Sequence, residues 1–282
     1  MTQHAATHPG KLRQTLAVYA LLLVGAALFL IPFGILISNS LKTDREISDT
    51  QQLLPSVPQW GNYPEALEMM GFWPALANTT VITTLCVVAQ VLSSSMIGFG
   101  FARYRFRGRG IAFAIMLATM MLPAQVTMIP VFLLFRSIGA IDSFIPLILP
   151  NLFGAPFFIF MFRQFFLQVP EELLEAARID GASAWMIYWR IMLPLSTPVI
   201  AIVAIYTFMF TWNDFMAPLI YLNSQENRTL AIALNAFSGQ YGVQYRHLLM
   251  AASFVTMLPC ILLFFAAQRF FIDTGSSTGL KG

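Results

Sequence analysis

Glu171-Glu172-Leu173-Leu174-Glu175-Ala176-Ala177-Arg178-Ile179-Asp180-Gly181-Ala182, running on through Ser183 to Pro194, is the one long segment where carboxylates, small residues and a turn glycine interrupt an otherwise apolar chain. Pro170 suits a first helical position, and Glu171 and Glu172 follow in the turn where carboxylates complement the helix dipole. Leu173, Leu174 and Ala177 recur at helical spacing and give a short helix one apolar stripe, which Asp180-Gly181 ends with a left-handed turn. Ser183 is placed to cap a second helix, Ala184 to about Met192, that Pro194 interrupts. The spacing predicts a helix-turn-helix elbow over residues 170–194, with Ala176 and Ala177 keeping one face low. Two readings stand on these residues alone. One is a knob on which another protein docks; the other is an amphipathic loop lying on membrane lipid, anchored by Trp185, Tyr188 and Trp189.

Of the 282 residues, 57% are hydrophobic and 10% charged, against roughly 25% charged in an average soluble domain. This composition predicts an integral membrane protein. The net charge of +3 resides in short loops between apolar runs, and Arg103, Arg105, Arg107 and Arg109, alternating with Tyr104, Phe106, Gly108 and Gly110, read as a topology determinant. No nucleic-acid partner is expected. Cys86 and Cys260 lie inside apolar runs, which implies neither a disulfide framework nor a metal site. There is no P-loop, since Gly279-Leu280-Lys281-Gly282 lacks the required glycine spacing and following helix. His4, His8 and His247 form no HExxH pair, and no Gly-x-Ser-x-Gly elbow occurs. No catalytic residue, metal or cofactor is expected, and ATP hydrolysis is not expected in this chain.

Six apolar stretches are long enough to cross about 30 Å of hydrocarbon at 1.5 Å per residue: 15–37, 75–101, 111–135, 143–166, 195–222 and 247–271. Residues 1–14 precede them and 272–282 form a tail. The first run exceeds a signal-peptide core and no Ala-x-Ala site follows, so it is read as a span. Residues 38–74 are polar and lie outside the bilayer, with a short helix near Tyr63 to Met70. The second span carries Asn78, Thr79, Thr83 and Ser93-Ser94-Ser95, small polar residues that let helices approach, and is expected inside the bundle. Pro123 and Pro130 in the third span, and Pro146, Pro150 and Pro156 in the fourth, predict broken helices lining a pathway. The fold class is therefore an all-α integral membrane protein with six transmembrane helices and both termini on one side. Lys11, Arg13, Arg103, Arg105, Arg107, Arg109, Arg163, Arg178, Arg190, Arg269 and Lys281 fall on that side, against Lys42, Arg45, Arg136, Arg228 and Arg246 on the other. The positive-inside rule places the termini and the elbow in the cytoplasm of an inner (plasma) membrane protein.

The pattern Glu175-Ala176-Ala177, Asp180-Gly181-Ala182, Pro194 and Pro198 resembles the EAA loop of binding-protein-dependent ABC importer permeases. Further stretches resemble the carbohydrate class of that family, in particular the subunit type of maltose and glycerol-3-phosphate systems. They are Ser40-Leu41-Lys42, Asn62-Tyr63, Asn78-Thr79, Ala102 to Phe106, the run from Leu122-Pro123 to Ile129-Pro130, Trp212-Asn213-Asp214 with Pro218-Leu219, and the tail Gly279 to Gly282. The resemblance implies an importer of a sugar or polyol derivative, glycerol-3-phosphate included. It also implies a second homologous permease subunit, two ATP-binding subunits and an extracytoplasmic solute-binding protein. On it, Glu175, Ala176, Ala177, Asp180 and Gly181 transmit ATPase closure to the membrane helices.

Asp214 is the one acidic residue well inside a span, where an ionisable group costs roughly 2.5–3.5 kcal/mol on insertion scales, so it is expected to face the bundle or a wet cavity. With Trp212, Asn213 and Asn151 it is a candidate for the substrate pathway; the other role open to it is to hold the helix break before Pro218. An ion-coupled secondary transporter is the competing reading, and would need more coupled charges at the midplane than Asp214.

Overall fold

The computed structural model describes residues 9–49, 52–239 and 245–278. The expectations for residues 1–8 and 279–282, and for 240–244 of the loop between Asn223 and Arg246, lie outside the described residues. All regular structure among the described residues is helical, and the chain divides into two compact units, Met1–Met70 with Ala236–Thr256 and Gly71–Asn235 with Met257–Gly282.

In the first unit, helix α1 (Pro9–Ser40) is followed by α2 (Asp44–Ser48) and α3 (Asn62–Met69). Thr43 opens α2 with a capping box: its hydroxyl accepts from Glu46 N, and the Glu46 carboxylate accepts from Thr43 N at 3.0 Å. That backbone bond is the main reason the Glu46 carboxyl is held down at about 2. Asn62 donates through Nδ2 to Ser40 O at 2.8 Å and Lys42 O at 2.9 Å, satisfying carbonyls that the end of α1 leaves open. Lys42 is buried and donates to Asn39 Oδ1 at 2.9 Å and to Gln52 O. Ser40, Lys42, Asn62 and Tyr63, noted separately in the sequence, thus form one polar knot, completed by the Ser40–Tyr63 hydroxyl pair at 2.8 Å.

The second unit is built on α4 (Phe72–Arg103), whose apolar window is 56% buried. After it come α5 (Arg109–Ala118), α6 (Ala124–Ser137), α7 (Ile145–Ile148), α8 (Pro156–Gln168), α9 (Glu171–Ile179), α10 (Ala184–Ile187), α11 (Leu193–Leu195), α12 (Thr197–Trp212) and α13 (Met216–Tyr221). Helix α14 (Leu230–Gly239) and α15 (Arg246–Thr278) complete the chain. Among the described residues, four helical stretches are long and apolar enough to cross a membrane: Gln14–Ser40, Phe72–Arg103, Ile145–Gln168 and Arg246–Gln268. The number rises to six if two bent pairs each count as one span.

Those bent pairs are where the structure departs from straight spans. The span 111–135, expected as a helix broken at its prolines, is two helices, Arg109–Met121 and Ala124–Ser137, bent by 100°. Pro123 is the cause: it drives Leu122 out of the helical region, to ψ 118°, while Pro130 is accommodated inside α6. The stretch expected from 195 is already helical from Ala184, bends by 76° around buried Ser196 between Pro194 and Pro198, and breaks after Trp212.

Helix α4 packs chiefly on α8 and α12. The close approach is at Gly98, where an added Cβ would lie 2.8 Å from Phe162 Cβ and 3.1 Å from Arg163 N. The serines of α4 turn inward: Ser93 donates to Asn151 O at 2.9 Å, Ser94 accepts from Gln90 Nε2 at 2.6 Å, and Ser95 pairs with the Tyr188 hydroxyl at 2.7 Å. At the opposite end of this unit Asp142, at φ 61°, clasps the loop after α13. Its Oδ1 accepts from Ser224 N at 3.0 Å, Asn223 N at 2.9 Å and the side-chain amide Asn227 Nδ2 at 3.3 Å, and the two backbone donors, Ser224 first, are the main reason its carboxyl is held down at about 2.

Gly98→Ala is expected to lower the thermal stability of the purified protein by about 1–3 kcal/mol, the cost of overpacking a filled contact. Gly100→Ala, whose Cβ meets nothing within 4 Å, is expected to leave it unchanged. Equal melting temperatures for the two variants would refute the close approach. The Asp142 clasp has a pH signature. A carboxyl lowered from 3.8 to about 2 stabilises the fold fully above the higher value and loses that contribution as pH falls toward the lower one. Amide exchange at Asn223 and Ser224, corrected for intrinsic rate, should be flat from neutral pH to about 5 and accelerate below about 4. In Asp142→Ala it should be fast throughout.

Candidate functional site

The elbow is built as a capped pair of helices. Pro170 is the cap of α9, so Glu171 and not Pro170 is the first helical residue; the proline at φ −56°, ψ 137° delivers the chain extended. Gly181 sits at φ 82° after Asp180, with Gly181 N donating to Arg178 O at 3.0 Å and Ala182 N to Ala177 O at 2.9 Å, the paired bonds of a left-handed helix end. Ser183 Oγ accepts from Met186 N at 3.2 Å and starts α10, which continues through a π-helical turn, Tyr188–Met192, into α11.

The inner face of the elbow is locked into the core. Leu174, Ile187 and Tyr188 are buried with Phe99, Phe162, Phe166, Met192 and Val203. Burying a leucine such as Leu174 contributes about 1.5–3 kcal/mol. Tyr188 is therefore a core residue and not an interfacial anchor: the α10 cap turns it inward, and Ser95 supplies the partner its hydroxyl needs. Trp185 and Trp189 stay exposed. Glu175, Ala176, Asp180 and Gly181 are exposed, Ala177 is half-buried, and Ile179 at the tip is 86% exposed.

Arg103 ties this elbow to α4. Its Nη1 donates to Glu171 Oε2 at 2.7 Å and its Nη2 to the carbonyls of Phe166 and Val169. Glu171 also accepts from Arg178 at 3.1 Å. Sequence reasoning grouped Arg103 with the loop arginines and missed this role. The signal was its position inside the apolar period of α4, one residue after buried Ala102, whereas Arg105, Arg107 and Arg109 lie beyond.

The second feature is a cavity of about 270 Å³ at the break between α12 and α13. Asp214 lies in that break and accepts from Ala217 N through Oδ1 at 3.2 Å, starting α13. Asn151 donates to Leu147 O at 3.1 Å and Cys86 Sγ at 3.3 Å, between α7 and α8. Asp214 and Asn151 both line the cavity, with Thr211 and Thr229 beside them. Trp212 and Asn213 do not. Trp212 is buried and stacked on Phe208 at 5.1 Å, and Asn213 donates to Met209 O at 2.7 Å on the side of Cys260. Of the four pathway candidates, the structure brings two together.

A search of family models matches residues 94–273, which include both the elbow and the cavity break, to the binding-protein-dependent transport system inner membrane component. The chain is 36% identical over 259 residues to the arabinooligosaccharides transport system permease protein AraQ of Bacillus subtilis, covering 90% of this chain and 92% of that one. It is 31% identical over 254 residues to the melibiose/raffinose/stachyose import permease protein MelC of the same organism, covering 89% and 91%. A solved bacterial ABC transporter involved in the import of the acidic polysaccharide alginate shares the fold at TM-score 0.80 and 22% identity, over 95% of this chain and 100% of that one. With its elbow, its apolar helices and a family match across both, the chain belongs to the binding-protein-dependent transport system inner membrane components and is a multi-pass membrane protein.

Proposed function

We propose that this chain is a permease subunit of an ATP-driven importer of a sugar or polyol derivative, and that its elbow receives the work of ATP hydrolysis from a separate subunit. The observation that carries the proposal is the two-sidedness of the elbow. Leu174, Ile187 and Tyr188 fix one side in the core, while Glu175, Ala176, Asp180, Gly181 and the Ile179 tip stand uncovered, with Ala177 at the edge. A helix that receives force from a partner needs that combination of a rigid root and a low outer face. The carbohydrate class is supported by relatives named for arabinooligosaccharides and for melibiose, raffinose and stachyose. Family membership does not favour an ion-coupled secondary transporter.

On this reading the bent pairs complete six spans, and residues 1–14, the elbow 170–194 and the tail 272–282 face the cytoplasm. A solute-binding protein delivers substrate to the stretches 38–74 and 223–246 on the other side. A second homologous permease subunit completes the pathway, and two ATP-binding subunits engage the elbows, one on each permease. Asn151 and Asp214 border the pathway in this subunit, with Trp212 and Asn213 supporting the break from behind. Closure of the ATP-binding subunits moves α9; Arg103 passes the movement to α4 and to the end of α8, and the bend at Ser196 passes it to α12.

Gly181→Trp is expected to abolish association with the ATP-binding subunits and substrate uptake; a Cβ at 181 meets nothing within 4 Å in this chain, so the cost to the permease itself is the backbone strain of a side chain at φ 82°. Gly181→Asn, which tolerates the left-handed turn, should retain most uptake. Normal uptake and normal association in Gly181→Trp would end the assignment. Arg103→Gln removes charge-assisted bonds of roughly 1.5–3 kcal/mol each and should lower the substrate moved per ATP hydrolysed without dissociating the complex. Arg103→Lys, which keeps the charge but not the fork, should fall between the variant and the wild type.

A further inference from the structure

At one end of the second unit two arginines stand close together without an anion. Arg163 of α8 lays its guanidinium over the Phe113 ring of α5, with Cζ 4.3 Å from the ring centroid. Arg109 sits one turn before Phe113 on the same face of α5, which places it beside Arg163, and the two charges repel each other. Both residues are half-buried, and neither belongs to an ion pair among the described residues, where the pairs are Arg103–Glu171, Arg178–Glu171 and His247–Asp44. We infer that Arg109 and Arg163 form a binding site for the phosphate of an anionic phospholipid headgroup, held between α5 and α8.

Depth selects a lipid as the source of that phosphate. Arg163 lies five residues before the end of the apolar stretch Ile145–Gln168, about 7–8 Å along the axis at 1.5 Å per residue. Arg109 opens α5 at the same end, where Arg103 meets the closing carbonyls of α8. Like charges brought together where water is thin repel far more strongly than in bulk solvent, and an anion shared between them replaces that cost with attraction. Basic pockets between spanning helices take up phospholipid headgroups for this reason. Ile111 and Ile115 of α5, 70% and 62% exposed, give acyl chains an apolar flank.

The donors are there and unspent. A guanidinium carries five N–H donors, and the Phe113 ring beneath Arg163 engages its face while leaving its edges open. Arg163 Nε is buried, whereas its two Nη groups, which have no partner among the described residues, keep accessible surface. Arg109 gives Nη1 to Tyr104 O at 3.1 Å and keeps Nη2. The ring platform is fixed in turn, since Phe113 packs on Phe101 at 5.4 Å and on Phe160 at 6.4 Å. Arg163 is thus held in place, and a held fork suits two oxygens of one phosphate. The elbow's Glu171 does not compete, because Arg103 and Arg178 already share it.

The test uses the complete importer, ATP-binding subunits included, purified in a neutral detergent. It is titrated with dioctanoyl phosphatidylglycerol, dioctanoyl phosphatidylcholine and inorganic phosphate, with retention read by native mass spectrometry and stability by melting temperature. Phosphatidylglycerol should be retained and raise the melting temperature. Phosphatidylcholine, whose choline cancels its charge, and inorganic phosphate should do neither. Arg163→Gln and Arg109→Gln should each weaken retention of phosphatidylglycerol about tenfold or more, the loss of charge-assisted bonds, and abolish the rise in melting temperature. Arg107→Gln, on the exposed loop before the pair, should change neither. If Arg163→Gln fails to assemble, Arg109→Gln decides alone. Retention of phosphatidylglycerol at wild-type strength in the glutamine variants would overturn the site. An equal rise with inorganic phosphate would overturn the lipid as its occupant, and no retention by the wild-type complex would mean that a partner subunit supplies the anion instead.

Discussion

The guanidinium of Arg103, on the last residue of α4, lies against two helix termini at once: the closing carbonyls of α8 at Phe166 and Val169, and the Glu171 carboxylate that opens α9. Helix ends leave carbonyls without partners, and a cation near a C-terminus and an anion near an N-terminus both favour the dipoles. One side chain meets all these demands. Its side chain is 9% exposed, so removing Glu171 would strand a nearly buried charge rather than merely loosen a surface pair. Arg103 reaches that far because α4 and α8 come close at Gly98, and because Phe99, Phe162 and Phe166 fill the space around the junction. Glycine at 98 and arginine at 103 act together, the first setting the distance and the second using it.

The same demand for satisfied backbone groups explains the breaks. Within a membrane, non-helical backbone persists where it is buried in protein or lines a wet cavity. Each break here has a local answer. Thr119 donates to Met116 O ahead of Pro123, Ser196 donates to Leu193 O at the second bend, and Asp214 receives Ala217 N at the third. The first two use neutral hydroxyls. The third uses a carboxyl group, which has spare acceptor positions that capping alone does not require.

The membrane class, the inward serines of α4 and the glycine turn and serine cap of the elbow were all readable from composition and spacing, because each depends on residues near in sequence. What escaped depends on neighbours distant in sequence. Helical periodicity says that Tyr188 lies on some face of its helix, but only the approach of Ser95 from α4 makes that face interior. Trp212, Asn213 and Asp214 looked like one group because they are consecutive. The backbone leaves the helix at Asn213, near φ −95°, ψ 2°, and the three side chains part there. Thr229 was invisible for the same reason: it comes from the loop before α14 and reaches the cavity only when Thr79 of α4 accepts from Leu230 N at 2.9 Å. The number of spans was over-determined by apolarity and under-determined by prolines, which bend two of them far from straight.

Whether the elbow docks on protein or lies on lipid turns on which of its faces remains free. Spacing alone left the question open, since Leu174, Trp185, Tyr188 and Trp189 suit either surface. In the fold, Leu174, Ile187 and Tyr188 are already consumed by the core. The face left to α9 is Glu171, Glu172, Glu175 and Asp180, relieved by Arg178 and tipped by Ile179. In the proposed orientation that face meets a leaflet whose anionic headgroups attract basic segments and repel acidic ones. Trp185 and Trp189, with the exposed Leu173, Ile179 and Met186, would have to hold it there. A protein groove has no such conflict: it can present cations to the carboxylates and an apolar pocket to Ile179. The free face of the elbow is thus better matched to a partner subunit than to the bilayer, and that match follows from the burial of Tyr188, the residue that at first supported the lipid reading most directly.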